Sequence, residues 1–141
     1  MTIVSRLAII SALAICVGCN SRASVVPVSG IITLDGKPLA NAYIAFQPIV
    51  NTGEKPPGPG SYGNTDASGA YLLKLMDNDE PGAVVGNHRV EISLKVESDD
   101  RDPKSRPPAK TLPPRYNKTS ELQFKVEPGG SKAANFDLKS Q

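Results

Sequence analysis

At 141 residues the chain has room for one domain but not comfortably two, and its 16 Lys and Arg against 14 Asp and Glu leave a formal charge of +2. The basic residues are scattered singly, so there is no cationic patch to argue for nucleic-acid binding. A single histidine excludes the usual histidine-rich transition-metal sites, and the lack of tryptophan removes the commonest sugar-stacking platform.

The chain opens with a short export-like segment. Arg6 is its only charge, residues 7–17 form an uninterrupted uncharged run, and Gly18, Cys19 and Asn20 follow. A positive start, a short apolar stretch and a small residue before the cut make a secretory signal peptide. Eleven residues are too few to cross about 30 Å of hydrocarbon as a helix. Val17-Gly18-Cys19 resembles the lipobox of bacterial lipoproteins, and the resemblance implies that Cys19 is acylated and becomes the first residue of the mature protein. Cys16 stands where that pattern wants an aliphatic residue. Ordinary cleavage after Ala23, with small residues at Ser21 and Ala23, is the alternative and would release a soluble protein. The lipoprotein reading divides the chain into a signal peptide at 1–18, a lipidated tether at 19–25 and a domain at 26–141. Removing 18 of 141 residues leaves 123; Arg6 is lost, so 15 basic residues face 14 acidic ones. Cys16 leaves with the signal and Cys19 is consumed by lipid, so the domain has neither thiol nor disulfide and no Cys-His or Ser-His nucleophile pair is expected.

From residue 25 onward the chain alternates as strands do. Residues 26–34 and 42–48 flank Asp35-Gly36-Lys37-Pro38, a tight-turn or hairpin signal. Ala42, Ile44 and Phe46 share a face, and Leu39 is placed at the open end of the core. After the irregular stretch 51–64, rich in glycine and proline, Thr65 to Gly69 form a turn into residues 70–75, where Tyr71, Leu73 and Leu75 share a face. The clearest run is 89–96, with Val90, Ile92, Leu94 and Val96 inward. His88 precedes it and is expected to be exposed or to stabilise a turn. A second long stretch, 97–114, is rich in charge and proline. Residues 121–126 and 133–138 alternate again, and Glu127-Pro128-Gly129-Gly130 between them predicts a C-terminal hairpin. Asn135 falls away from the Ala134, Phe136 and Leu138 face, which argues against a Lys–Asn cross-link. With no sustained helical period, the pattern predicts an all-β sandwich.

Three blocks, residues 28–48, 65–75 and 86–95, resemble the carboxypeptidase regulatory-like, transthyretin-like domain. Its signature turns correspond here to Asp35, Gly36, Pro38 and Leu39, then to Thr65, Asp66, Gly69 and Tyr71. The similarity spans residues 26 to 138 and implies a seven-stranded Greek-key β-sandwich of the transthyretin (prealbumin) type. These are turn and core motifs, so they speak to architecture and hardly to chemistry. The metallocarboxypeptidases that carry this module need a separate zinc domain for which there is no room. The transthyretin-like hydrolases carry a C-terminal Tyr-Arg-Gly-Ser signature, whereas this chain ends Phe136-Asp137-Leu138-Lys139-Ser140-Gln141.

The functional expectation is a lipid-anchored, non-enzymatic envelope protein facing the periplasm or the outer surface, with a structural or protein-interaction role. It has no catalytic residue, cofactor or metal site. Its partners are the membrane, through acyl groups on Cys19, and another envelope protein. The alternative is a glycan- or peptide-binding module using the 51–64 and 97–114 loops, with Tyr62 and Tyr116 as its aromatic platform; an uncharacterised hydrolase is the third hypothesis. The runs Asp77-Asn78-Asp79-Glu80 and Asp99-Asp100-Arg101-Asp102 suit hard cations by oxygen content but lack the glycine and distal glutamate of an EF-hand loop, and are read as solvated turn acids.

Overall fold

The computed structural model describes residues 23–50, 53–95 and 111–141. Within them every regular element is a strand except one 3-10 turn, Pro114–Tyr116. The signal segment, Cys16, Cys19, Val96 and the acidic run 99–102 lie outside the described residues.

The chain enters through β1 (Val25–Val26) and continues as β2 (Ser29–Leu34). Asp35 and Gly36 both take positive φ, 50° and 79°, and return it as β3 (Lys37–Pro38). Two consecutive left-handed residues match the twist of a two-residue hairpin, which is why an Asp-Gly pair sits there. The chain then forms β4 (Ala42–Pro48), β5 (Ser61–Asn64), β6 (Ala70–Leu72), β7 (Lys74–Leu75), β8 (Ala83–Val84), β9 (Gly86–Leu94), β10 (Gln123–Val126) and β11 (Phe136–Leu138).

Five of these strands make an antiparallel sheet in the order β10-β9-β4-β5-β7. A second sheet is centred on β2, which pairs with β11, β3 and β6, and a small β1–β8 pair closes one end. Side-chain alternation decides the inner faces. Ala42, Ile44 and Phe46 of β4 and Val90 and Ile92 of β9 are all fully buried, while Tyr43, Gln47, Arg89 and Glu91 point the other way. The second sheet contributes Ile32, Tyr71 and Leu138 to the same core. Phe46, Phe124 and Phe136 meet there with ring centroids 5.7 to 6.2 Å apart, joining the two sheets through tilted and edge-on contacts. Leu39 packs against this core as expected.

Two local readings of the sequence are corrected. The run 70–75 is not one strand. Tyr71 pairs on β2 and Lys74 on β5, and the chain changes sheets at Leu73, whose N–H donates to the Val28 carbonyl while its own carbonyl accepts from Gly82. The C-terminal hairpin does not form either. The 127–130 turn is tight, with Gly130 N–H donating to the Glu127 carbonyl, but its two flanking strands go to different sheets. β10 pairs antiparallel with β9, and β11 runs parallel to β2. What diverts the chain is bonding to the start of the second sheet. Ser131 exchanges backbone hydrogen bonds with Pro27 and Ser29, and Ala134 N–H donates to the Ser29 carbonyl. The backbone of Ala134 lies so close under Gly30 that a Cβ there would stand 2.1 Å from the Ala134 oxygen. The side chain of Asn135, turned away from the core, accepts the Ile31 N–H at 2.8 Å and substitutes for a strand carbonyl at the break.

The fold has two ends. β1, the exits of β4 and β7 and the starts of β5, β9 and the 127–130 turn lie at one, with Ser24 bonded to Val85 and Ile49 bonded to Asn87. The Asp35-Gly36 and Thr65-to-Gly69 turns and the C-terminus lie at the other, where Asp35 Oδ1 accepts from Ser140.

Candidate functional site

A depression lies at the first end. It is a groove of about 360 Å³ lined by Ala23, Val25 and Val84, by the Pro57–Pro59 loop and by the acidic turn after β7. The turn is self-supporting. Asn78 Oδ1 accepts the Glu80 N–H at 2.9 Å, Leu75 N–H donates to the Glu80 carbonyl, and Asp79 adopts a φ of 58°, which a short polar side chain tolerates. The turn thereby holds Asp77, Asn78 and Glu80 along the rim. Gly58 forms the opposite lip, where an added Cβ would meet Val84 Cγ2 at 2.7 Å. Glycine between two prolines is thus what lets the loop close on β8.

Tyr62, from β5, lies on the outer face of the five-stranded sheet and is half-buried. Its hydroxyl donates to Asp79 Oδ1 at 2.5 Å, and its ring stacks with Tyr43 of β4 at 6.1 Å with the planes 22° apart. The hydrogen bond to the Asp79 carboxylate is the main reason its phenol is held above the ordinary tyrosine pKa. Tyr62 therefore joins the sheet's outer face to the groove's acidic turn.

Tyr116 is elsewhere. It sits in the 3-10 turn, only 8 % exposed, among the core residues. Its hydroxyl oxygen accepts the Lys139 N–H at 3.0 Å, and the Arg115 guanidinium covers its ring at 4.9 Å. These contacts put it at the end that carries the C-terminus, away from the groove. The structure does not bring Tyr62 and Tyr116 together, and the ring that the alternative reading offered as half of a platform closes the core edge. The loop around Pro57–Pro59 is likewise at the opposite end from Leu112, the last part of the 97–114 stretch, and from Tyr116 just after it.

His88 also departs from expectation. It is inside β9, in phase with Val90 and Ile92, and completely buried with its ring 5.7 Å from that of Phe46. Nδ1 lies 3.1 Å from the Gly86 carbonyl, an acceptor only, so Nδ1 carries the proton. Nε2 has no hydrogen-bond partner, and neither does Ser61 Oγ on β5. Burial pushes the His88 pKa down, opposed by the Gly86 contact, and the imidazole is neutral. Enclosed in this way, the ring reaches no groove.

Among the described residues no group of three or more His, Cys, Asp or Glu side chains could hold a metal ion, the 77–80 run included. No helix there is long and apolar enough to cross a membrane. Sequence reasoning missed the groove itself, because its walls come from four separate segments. The one local signal was Gly58 between prolines in a stretch set down as irregular. In comparisons with known proteins, no family model, no curated protein and no solved structure matches this chain.

Proposed function

We propose that the chain is a lipid-anchored, non-enzymatic component of a bacterial cell envelope, built as a Greek-key β-sandwich of the transthyretin-like type and acting through structural or protein contacts. The observation that carries this is Cys19, directly after Gly18 and an uncharged run of eleven residues. The first described residue, Ala23, lies at the surface end of the fold beside Gly58, in keeping with an anchor four residues upstream. The fully buried His88 supports a non-catalytic role, since its imidazole cannot meet a substrate in solution. The residues Asp35, Gly36, Asp66 and Gly69, on which the family resemblance rests, lie in turns as it implies, with positive φ at three of them and an Asp66 carboxylate that accepts from Ser68 and Ala70.

The test is the intact mass of the protein extracted from membranes. An acyl-modified chain beginning at Cys19 is expected. An unmodified chain beginning at Ser24 would replace the anchored protein with a secreted one. A second reading, a ligand-binding module, is favoured by the groove beside Pro57–Pro59 and the Tyr43–Tyr62 stack. It draws on the first loop alone. A glycan array in which Tyr62→Ala abolishes a specific signal would support it, and an array with no signal would dismiss it.

A further inference from the structure

The described residues carry five large exposed hydrophobic side chains, and three of them, Ile49, Val50 and Met76, lie at the end of the fold where the chain begins. Their placement follows from backbone bonds. Ile49 N–H donates to Asn87 at 2.8 Å, and the same β8–β9 segment receives Ser24 through Val85. Met76 N–H donates to Gly60, and its thioether lies over that glycine, where an added Cβ would come 3.1 Å from Sδ. Gly58, two residues earlier, lies beside Ala23, where an added Cβ would come 3.4 Å from the Ala23 Cβ. The exposed residues and the point of chain entry thus ring one rim, 37 to 45 % exposed, with no protein element over them among the described residues. The chain from Cys19 to Ala23 can extend at most about 14 Å. An acyl group on Cys19 therefore keeps Ala23, on this rim, close to the bilayer.

We propose that this end of the domain is a membrane-contacting face, seated on a zwitterionic lipid surface with Ile49, Val50 and Met76 in the headgroup layer. This rests on acylation of Cys19. Apolar side chains at such a surface gain by leaving water, and a covalent anchor supplies the local concentration that a small patch lacks. Charge selects the lipid. Glu54, Asp77, Asp79 and Glu80 are exposed at the same end, with Asp77 and Glu80 lining the groove, against the exposed lysines Lys55 and Lys74 on the same segments. The modest acidic excess disfavours an anionic headgroup, whereas a zwitterionic one presents an ammonium to it. A lipoprotein on a bare tether would tumble freely; this one has a preferred orientation that directs the Asp35-Gly36 turn and the C-terminal end away from the membrane.

The absence of tryptophan makes a direct test possible, because a single introduced indole reports without background. Full-length acylated Ile49→Trp, Val50→Trp, Met76→Trp and, as the far-end control, Lys37→Trp are placed in phosphatidylcholine vesicles containing phosphatidylethanolamine and chain-brominated phosphatidylcholine. Intact mass establishes the acyl group on each protein. Bromine quenching at 49, 50 and 76 is expected to exceed that at 37 by about twofold or more, with blue-shifted emission. Replacing phosphatidylethanolamine by phosphatidylglycerol reduces it. Acylated proteins quenched equally at all four positions would overturn the membrane face while leaving the anchor standing, and equal quenching on both lipids would overturn the assignment to zwitterionic lipid. Proteins with no acyl mass would overturn the anchor, and with it this orientation. Three independent reporter positions guard against one variant failing to fold.

Discussion

His88 is the chain's only histidine, so the stability of the domain between pH 5 and 8 tests its environment almost alone. Its folded pKa is depressed by burial. The neutral ring is the form that folds, while the unfolded chain takes up a proton near pH 6.5. Stability is therefore full above pH 6.5 and falls as the pH drops from there towards the folded-state value, because the unfolded state then binds more protons. The slope approaches about 1.4 kcal/mol per pH unit. With a urea m-value of about 1–3 kcal/mol/M for a domain of this size, the midpoint should move down by about 0.5–1.4 M per pH unit below 6.5. The carboxylates held below their usual pKa, Asp35, Asp66 and Asp137, lose their contribution only further down, below about pH 4, and do not blur this window. The assay is urea unfolding followed by circular dichroism at half-unit pH steps, in wild type and His88→Leu. Leucine fills the site without a titrating group, and its midpoint should be flat from pH 8 to 5. Equal acid slopes in the two proteins would refute the buried neutral imidazole.

Gly30→Ala should destabilise by about 1–3 kcal/mol or prevent folding, since its Cβ meets the Ala134 oxygen at 2.1 Å and backbone on both sides leaves little to give; a urea midpoint shift measures it. Phe46→Ala, removing the ring at the centre of the aromatic cluster, should cost about 3–5 kcal/mol by the same assay. Asp66→Ala removes the acceptor for Ser68 N–H, Ser68 Oγ–H and Ala70 N–H and should lower the melting temperature at pH 7. Because the Asp66 pKa is depressed, chiefly by Ser68, that difference should shrink as the pH falls below 3.8 and the wild-type carboxyl protonates. Tyr62→Phe should remove one late step from the spectrophotometric titration of the four tyrosines, since Tyr62 ionises above the usual range.

The faces of the strands were legible in the sequence, and their partners were not. A period of two puts Ile44 with Phe46 and Val90 with Ile92, and all four are buried. It does not say which sheet a strand joins, and residues 70–75 serve two sheets with a single alternation. The Pro128-Gly129 turn is correct as local chemistry. The pairing beyond it is decided by Ser29 and Pro27, a hundred residues earlier, which no window around the turn contains. His88 was legible in phase, two residues before Val90, but starting the run at Arg89 left it outside the strand. Tyr116 carried no such phase. Its burial comes from the Lys139 and Arg115 contacts, only one of which is local.

The parallel pairing of β11 with β2 sets a condition on when this protein becomes a folded object. Asp137 on β11 bonds Thr33 across 104 residues of chain. A ribosome making the chain from its N-terminus exposes Ile32 long before the neighbour it will lie against exists. The second sheet therefore completes only after β11 emerges, and its closing event is a long-range pairing.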